Sequence, residues 1–322
     1  MIVAVVVLAA LALVALTEGV LRVAERRLPT YLLWHDQLTT GKWRQLQRLR
    51  REPPVDVLLA GSSQMLFALD PTALPGRAYN CAIYRGIPTV MVEWLRDEVL
   101  PATRPRLVVW GASILDLNDN GGFHRGIHER YTAGRPARGP ALRLRASSAL
   151  VRRWRLLLDP LRLARLLRRA EPETDKPLSR LLGPMGKGLE YADYDTYRLS
   201  DDKAEFIRTE MVNAFSMGGA QAAALREGAA LVRAAGARLV FVEMPFTREF
   251  TEMYPGRDAD VAAARALLAS IAAEAGVPWV PTDGDALPHD WFADCVHLNG
   301  AGMRGWTAAM APLIARSGEA TR

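Results

Sequence analysis

Apolar residues run without a break from Ile2 to Leu16 and continue past Glu18 and Arg22 to Ala24; beyond that point they fall into short blocks of two alternating periods. The first segment offers an uncharged length of about 17 residues, enough for a helix to cross a bilayer when Glu18 and Arg22 snorkel toward the interface. No small-x-small cleavage site precedes Thr17, and the pattern Val20, Leu21, Val23, Leu28 carries the helix onward. An uncleaved anchor over residues 1–27 is therefore expected in preference to a signal peptide. Residues 28–54 are a polar, basic connector in which Trp34 and Trp43 suit either an interfacial belt or packing onto the domain.

From Val55 the chain alternates β-branched runs with helix-period segments. Strands are expected from Val55 to Ala60, Arg77 to Ile83, Arg106 to Trp110, Arg238 to Met244 and Val277 to Val280. Helices are expected from Pro88 to Leu100, Lys203 to Phe215, Ala220 to Ala235, Asp258 to Ala275 and Leu298 to Arg316. This alternation predicts an α/β fold: a flavodoxin-like three-layer α/β/α sandwich of about five parallel strands, both faces covered by helices. The domain spans residues 55–318 and leaves 319–322 as a tail.

Between 117 and 200 the rhythm stops. Residues 135–169 hold eleven arginines, no lysine and one acid, Asp159, a local +10 against +6 for the whole chain. The basic character thus reports one segment. Leucines interleave with the arginines from Ser148 to Ala170, the pattern of a basic amphipathic helix broken at Asp159-Pro160. Such a helix could lie solvated on the domain, rest against anionic headgroups beside the N-terminal anchor, or cap a site. No recognition motif accompanies the charge, so nucleic acid is not an expected partner.

The chemistry concentrates at two distant places. The first strand ends in Gly61-Ser62-Ser63, small polar residues at the carboxyl edge of a parallel sheet, where substrates bind. The segment Asp294-Cys-Val-His297, 231 to 234 positions away, supplies a base and a carboxylate three residues apart on a loop opening the last helix. A serine nucleophile needs those two partners. Gly-x-Ser-x-Gly is excluded because Met65 stands where its second glycine belongs.

In these blocks the chain resembles the SGNH (GDSL-type) hydrolases, whose first block is Gly-Asp-Ser at a strand end and whose last is Asp-x-x-His before the C-terminal helix. Ser62 replaces the usual Asp, and Ser63, Asp294 and His297 then match the catalytic serine, acid and histidine. Tyr79-Asn-Cys-Ala-Ile-Tyr-Arg-Gly86 resembles the second block, which implies Gly86 as an oxyanion donor beside the Ser63 N–H. The third block, normally Gly-x-Asn-Asp, reads Gly111-Ala-Ser113, so Ser113 stands in for the asparagine. Losing such a donor typically costs roughly 3 kcal/mol of transition-state stabilisation. Gln64, Glu243 and Asn299, near the same rim, are candidate substrate contacts, and Glu243 is alternatively a structural acceptor that braces the loop bearing His297.

The resemblance is greatest to a membrane-anchored Gly-Ser-Ser subgroup similar to the D-alanyl transfer protein of teichoic-acid synthesis, and functionally to polysaccharide O-acetylation proteins. It implies an esterase or O-acyltransferase that uses a serine nucleophile and needs no cofactor. Its substrate would be an acylated carbohydrate or lipid-linked ester of the cell envelope, handled beside a multi-spanning acyltransferase. A soluble-substrate esterase and an inactive assembly subunit are the alternatives. Arg22, Arg26, Arg27, Lys42, Arg44 and Arg48 follow the span, which by the positive-inside rule places the domain in the cytoplasm. The resemblance implies instead an extracytoplasmic domain on a bacterial-type inner membrane.

Three smaller features complete the expectations. Cys81 and Cys295 are not expected to bridge, because their segments flank the nucleophile strand on opposite sides. His124 and His128 have helical metal spacing, but Gly121, Gly122 and Gly126 argue for a loop, and no metal is expected. Tyr191, Tyr194 and Tyr197 with Asp193 and Asp195 suit a surface loop, with sugar stacking the lesser alternative.

Overall fold

The computed structural model describes residues 2–25, 30–120, 148–153, 157–158, 178–282 and 286–319. They fall into two compact units, one within Met1–Arg44 and Arg135–Leu181, the other within Gln45–Gly134 and Leu182–Arg322. His124 and His128 lie outside the described residues, as does most of the predicted arginine-rich helix.

In the first unit a helix runs over Ile2–Glu25, and its stretch Val5–Val23, of mean hydropathy 2.1, is long and apolar enough to cross a membrane. Leu8 and Leu16 are each 66% exposed, so among the described residues most of this apolar surface is uncovered, although Leu21 is buried. Glu18 has a task beyond snorkelling. Its carboxylate accepts hydrogen bonds from Ser148 Oγ (2.9 Å) and from the N–H groups of Ala149 (2.9 Å) and Leu150 (2.8 Å). These are the unpaired donors that begin the short helix Ala149–Arg153, so Glu18 caps that helix within the arginine-rich segment. Residues 28–54 are largely helical, over Thr30–Leu49.

The second unit is built on five strands, β1 (Val57–Ala60), β2 (Ala78–Asn80), β3 (Leu107–Ala112), β4 (Arg238–Glu243) and β5 (Trp279–Val280). They form one parallel sheet in the order β2-β1-β3-β4-β5. Every residue of β1, β2 and β3 is buried, as expected of strands covered on both faces. Trp110 points toward the helix Ala220–Ala234, which packs against Pro88–Trp94 and Asp258–Ala275. Its neighbour Gly111 faces the other way, toward Met65 and Met244, on the side of the helices Ser63–Ala68 and Gly300–Glu319. The predicted layers are therefore present, with the strand order of the flavodoxin-like class.

Boundaries shift where side chains outcompete the ladder. β2 stops at Asn80, whose Oδ1 accepts the Ala82 N–H at 3.0 Å and whose Nδ2 donates to Met65 O at 3.1 Å. β3 runs two residues past Trp110 because its pairing with β4 continues through Ala112 and Glu243. The helix begun at Pro88 continues past Leu100 to Thr103 through a π turn at Leu95–Val99. Pro101 cannot donate to the Asp97 carbonyl, and a wider turn accommodates that lost bond. Residues 182–200 belong to the sheet unit, although the sequence places them in the insertion. Gly186 and Gly188 there lie so close to Asn80 O and Phe67 that no Cβ would fit.

Gly228 tests the packing above β3. A Cβ there would lie 2.4 Å from the Trp110 ring, itself 1% exposed. Gly228→Ala should destabilise the domain by about 1–3 kcal/mol despite its better helix propensity, read as a lower urea midpoint at unchanged slope. An unchanged or higher midpoint would show that the ring yields freely.

Candidate active site

β1 delivers its chain end into a turn that only glycine can make. Gly61 has φ 146°, and a Cβ there would lie 2.7 Å from Gly111 O on β3. Ser62 follows in extended geometry, and Ser63 opens the helix Ser63–Ala68. The Ser63 hydroxyl meets His297 Nε2 at 2.9 Å. On the far side of the ring, His297 Nδ1 lies 2.8 Å from Asp294 Oδ2 and 3.0 Å from Oδ1. The carboxylate only accepts, so Nδ1 carries the proton and Nε2 is left to receive the one on Ser63.

Asp294 is 1% exposed. Burial opposes its charge, but the His297 imidazole and the Lys203 ammonium, which donates to Oδ2 at 2.5 Å, hold its carboxyl well below the usual carboxylate range. Oδ1 also accepts the backbone N–H groups of Val296 and His297, each at 2.9 Å, which folds the loop back onto its own acid. The ring of His297 stacks on Tyr191 (4.8 Å between centroids, 21°) and meets Phe67 edge-on at 5.6 Å. Burial pushes the Tyr84 and Tyr191 phenols up, so both rings remain neutral. Tyr191 is thus packed against the histidine, while Tyr194 stands edge-on to Tyr191 with Arg198 over its face.

Ser63 and His297 open into a cleft of about 690 Å³ that merges with solvent. Its polar lining is Ser62, Tyr84, Arg85, Asp116 and Lys203; its apolar lining includes Ile87, Leu115, Phe206, Ile207, Met211, Phe250 and Val296.

The other residues named from the sequence are placed elsewhere. The Gly86 N–H donates to Ile83 O at 3.0 Å, and it is Arg85, at φ 59°, that lines the cleft. Ser113 is fully buried; its hydroxyl donates to Gln64 Oε1 at 2.6 Å and accepts from the Leu115 N–H. These bonds commit both expected oxyanion donors internally, because the turn after Ile83 and the cap of Ile114–Leu117 consume them. Gln64 is the partner of Ser113 and not a cleft residue. Glu243 accepts from Thr282 N and Arg265 Nε, which braces the exit of β5. Asn299 accepts from Ala301 N and Gly302 N and so caps the closing helix. All three are buried and hydrogen-bonded to the protein's own groups. Cys81 and Cys295 are both buried and form no disulfide.

Two charged groups at the site were not singled out from the sequence. Lys203 carried no signal, since a lysine in a first helical turn is ordinary. Asp116 had one: Ser113-Ile-Leu-Asp116 is a capping-box spacing, and the Asp116 carboxylate does accept the Ser113 N–H at 2.8 Å.

No family model matches this chain, and no curated protein matches it. Among solved structures it is similar to a Bacteroides fragilis protein described as a "putative acylhydrolase", with 12% identity and a TM-score of 0.43 over 86% of this chain and 96% of that one. A likeness of that size supports no activity.

Asp116 gives the site a measurable pH signature. Desolvation pushes its carboxyl up to about 6, against its Ser113 hydrogen bonds. The folded state therefore holds this proton more tightly than the unfolded chain. Its stabilising contribution is complete below the unfolded carboxylate value near 4 and declines as pH rises through about 6, by up to roughly 3 kcal/mol. Asp116→Asn should remove that decline, so the variant's stability relative to the parent should improve between pH 4.5 and 7.5. Parallel unfolding curves across that range would show that Asp116 is ionised throughout.

Proposed function

We propose that this chain is a membrane-anchored serine esterase or O-acyltransferase of the SGNH type, acting on an acyl ester of an envelope polysaccharide or a lipid-linked substrate. The observation that carries the proposal is the continuous chain Ser63–His297–Asp294, with heavy-atom distances of 2.9 and 2.8 Å, opening into a cleft. In this reading Ser63 Oγ attacks the ester carbonyl carbon as its proton passes to His297 Nε2. The tetrahedral intermediate expels the alcohol, which leaves with that proton, and the acyl group remains on Ser63. Water or a carbohydrate hydroxyl then repeats the steps in reverse, giving its proton to His297 and taking the acyl group.

Asp294 holds the imidazole in the tautomer this chemistry needs, and Lys203 keeps Asp294 ionised. The Ser63 N–H is the first oxyanion donor; the Gly86 N–H serves as a second on rotating away from Ile83 O when a substrate oxygen competes for it. The apolar helix anchors the chain in an inner membrane with the sheet unit extracytoplasmic. The arginine-rich segment, within which Glu18 caps a helix, lies against anionic headgroups. A catalytically weak assembly subunit is the second reading, favoured by the internal bonds of Gly86 and Ser113.

A fluorophosphonate probe separates the two. The full chain should be labelled on Ser63, Ser63→Ala should abolish labelling and Ser62→Ala should leave it. Label on Ser62 would make that hydroxyl the nucleophile, and no label at all would remove the esterase reading. The ammonium of Lys203 is more than a third exposed, so solvent screening keeps its link to Asp294 near 1 kcal/mol. Lys203→Met should accordingly slow labelling by about fivefold. An unchanged rate would make the lysine incidental.

A further inference from the structure

The cleft wall comes from an unexpected place. The helix Asp201–Phe206 passes directly into a π turn, Ile207–Met211, and Ile207 and Met211, its two ends, both line the cleft beside Ser63. With Leu115, Phe250 and Val296 they make a wall without a charge, fixed where Ile207 and Phe250 are 2% and 0% exposed and adaptable at Met211. Lys203, one turn earlier on the same helix, holds Asp294. One segment thus supplies both the tie to the acid and the apolar wall.

On the reading proposed above, we infer that this wall binds the acyl half of the ester, and that this half is an aliphatic chain of several carbons and not an acetyl or aminoacyl group. The methyl of an acetyl group would leave most of the wall wet, and the ammonium of an aminoacyl group would face Arg85 and Lys203. Asp116, the carboxyl group facing the cleft, is already bonded to Ser113 and gains its proton easily, so it is a poor counter-ion. The acyl side is the half that stays on Ser63 after the alcohol departs, so it profits from fixed walls. The alcohol needs an exit, which suits the cleft edge where Phe206 is 41% exposed.

The test uses the full chain in lipid nanodiscs and p-nitrophenyl esters from acetate to decanoate. kcat/KM should rise about threefold to fourfold for each methylene that fits, then fall once the chain outgrows the wall. Ile207→Trp, which fills the wall, should lower the octanoate-to-acetate ratio at least tenfold. A preference for acetate with Ser63 labelled by fluorophosphonate would overturn this inference and leave the esterase reading standing. If no ester is turned over, octanoate binding decides: Ser63→Ala in nanodiscs should bind sodium octanoate saturably by calorimetry, beyond empty discs. Saturable binding there would uphold the apolar wall although the esterase reading had failed. Its absence would overturn the inference where no ester is turned over; where esters are turned over the chain-length series decides, also if Ile207→Trp does not fold.

Discussion

A carboxylate that is 1% exposed organises this structure. An isolated buried charge is expensive enough that Asp294 would protonate, and it stays ionised because every lone pair it presents has a donor. Two N–H groups of its own loop, the imidazole of His297 and the ammonium of Lys203 supply them. Losing His297 would leave this buried charge short of a donor, whereas the half-exposed Lys203 contributes only about 1 kcal/mol. The same contacts fix the loop after β5, orient the histidine and tether the helix Asp201–Phe206. One electrostatic requirement thereby joins two distant stretches of chain, the loop 294–297 and the helix Asp201–Phe206.

The sheet answers that requirement from the other side. Parallel strands place all their carboxyl ends at one rim, and the close approach of Gly61 to Gly111 lets β1 turn sharply into the helix that starts at Ser63. Aromatic packing of Tyr191 and Phe67 on His297 completes the alignment without adding charge. Polar residues at the neighbouring strand ends are spent otherwise. Glu243, Asn299 and the Ser113–Gln64 pair satisfy buried backbone or one another, as buried polar groups must.

A site assembled this way leaves the segment after the insertion free to differ. That segment carries the cleft wall through the π turn Ile207–Met211, a helix irregularity that redirects side chains without ending the element. The apolar lining of the cleft thus draws on this segment as well as on the Asp294–His297 loop through Val296, and Lys203 links the two.

How much of this was legible in the sequence follows from the range of the forces involved. Period-two and period-3.6 apolar patterns are local, and they marked all five strands, the helix Asp258–Ala275 to the residue, and the apolar N-terminal helix. Ser63, Asp294 and His297 could be named because each stands in a short block whose local geometry constrains its residue types. What the tertiary structure alone decided was which groups meet. Lys203 looks like any lysine in a first helical turn until the fold carries it to Asp294, and Glu18 looks like an interfacial acid until it caps Ala149–Arg153. For Gly86, Ser113 and Gln64 only the fold shows the partner: sequence shows that a donor exists but not what already accepts its hydrogen bond. Periodicity records the average burial of a face, whereas hydrogen-bond partners are chosen one by one, by distance and angle, among residues far apart in the chain.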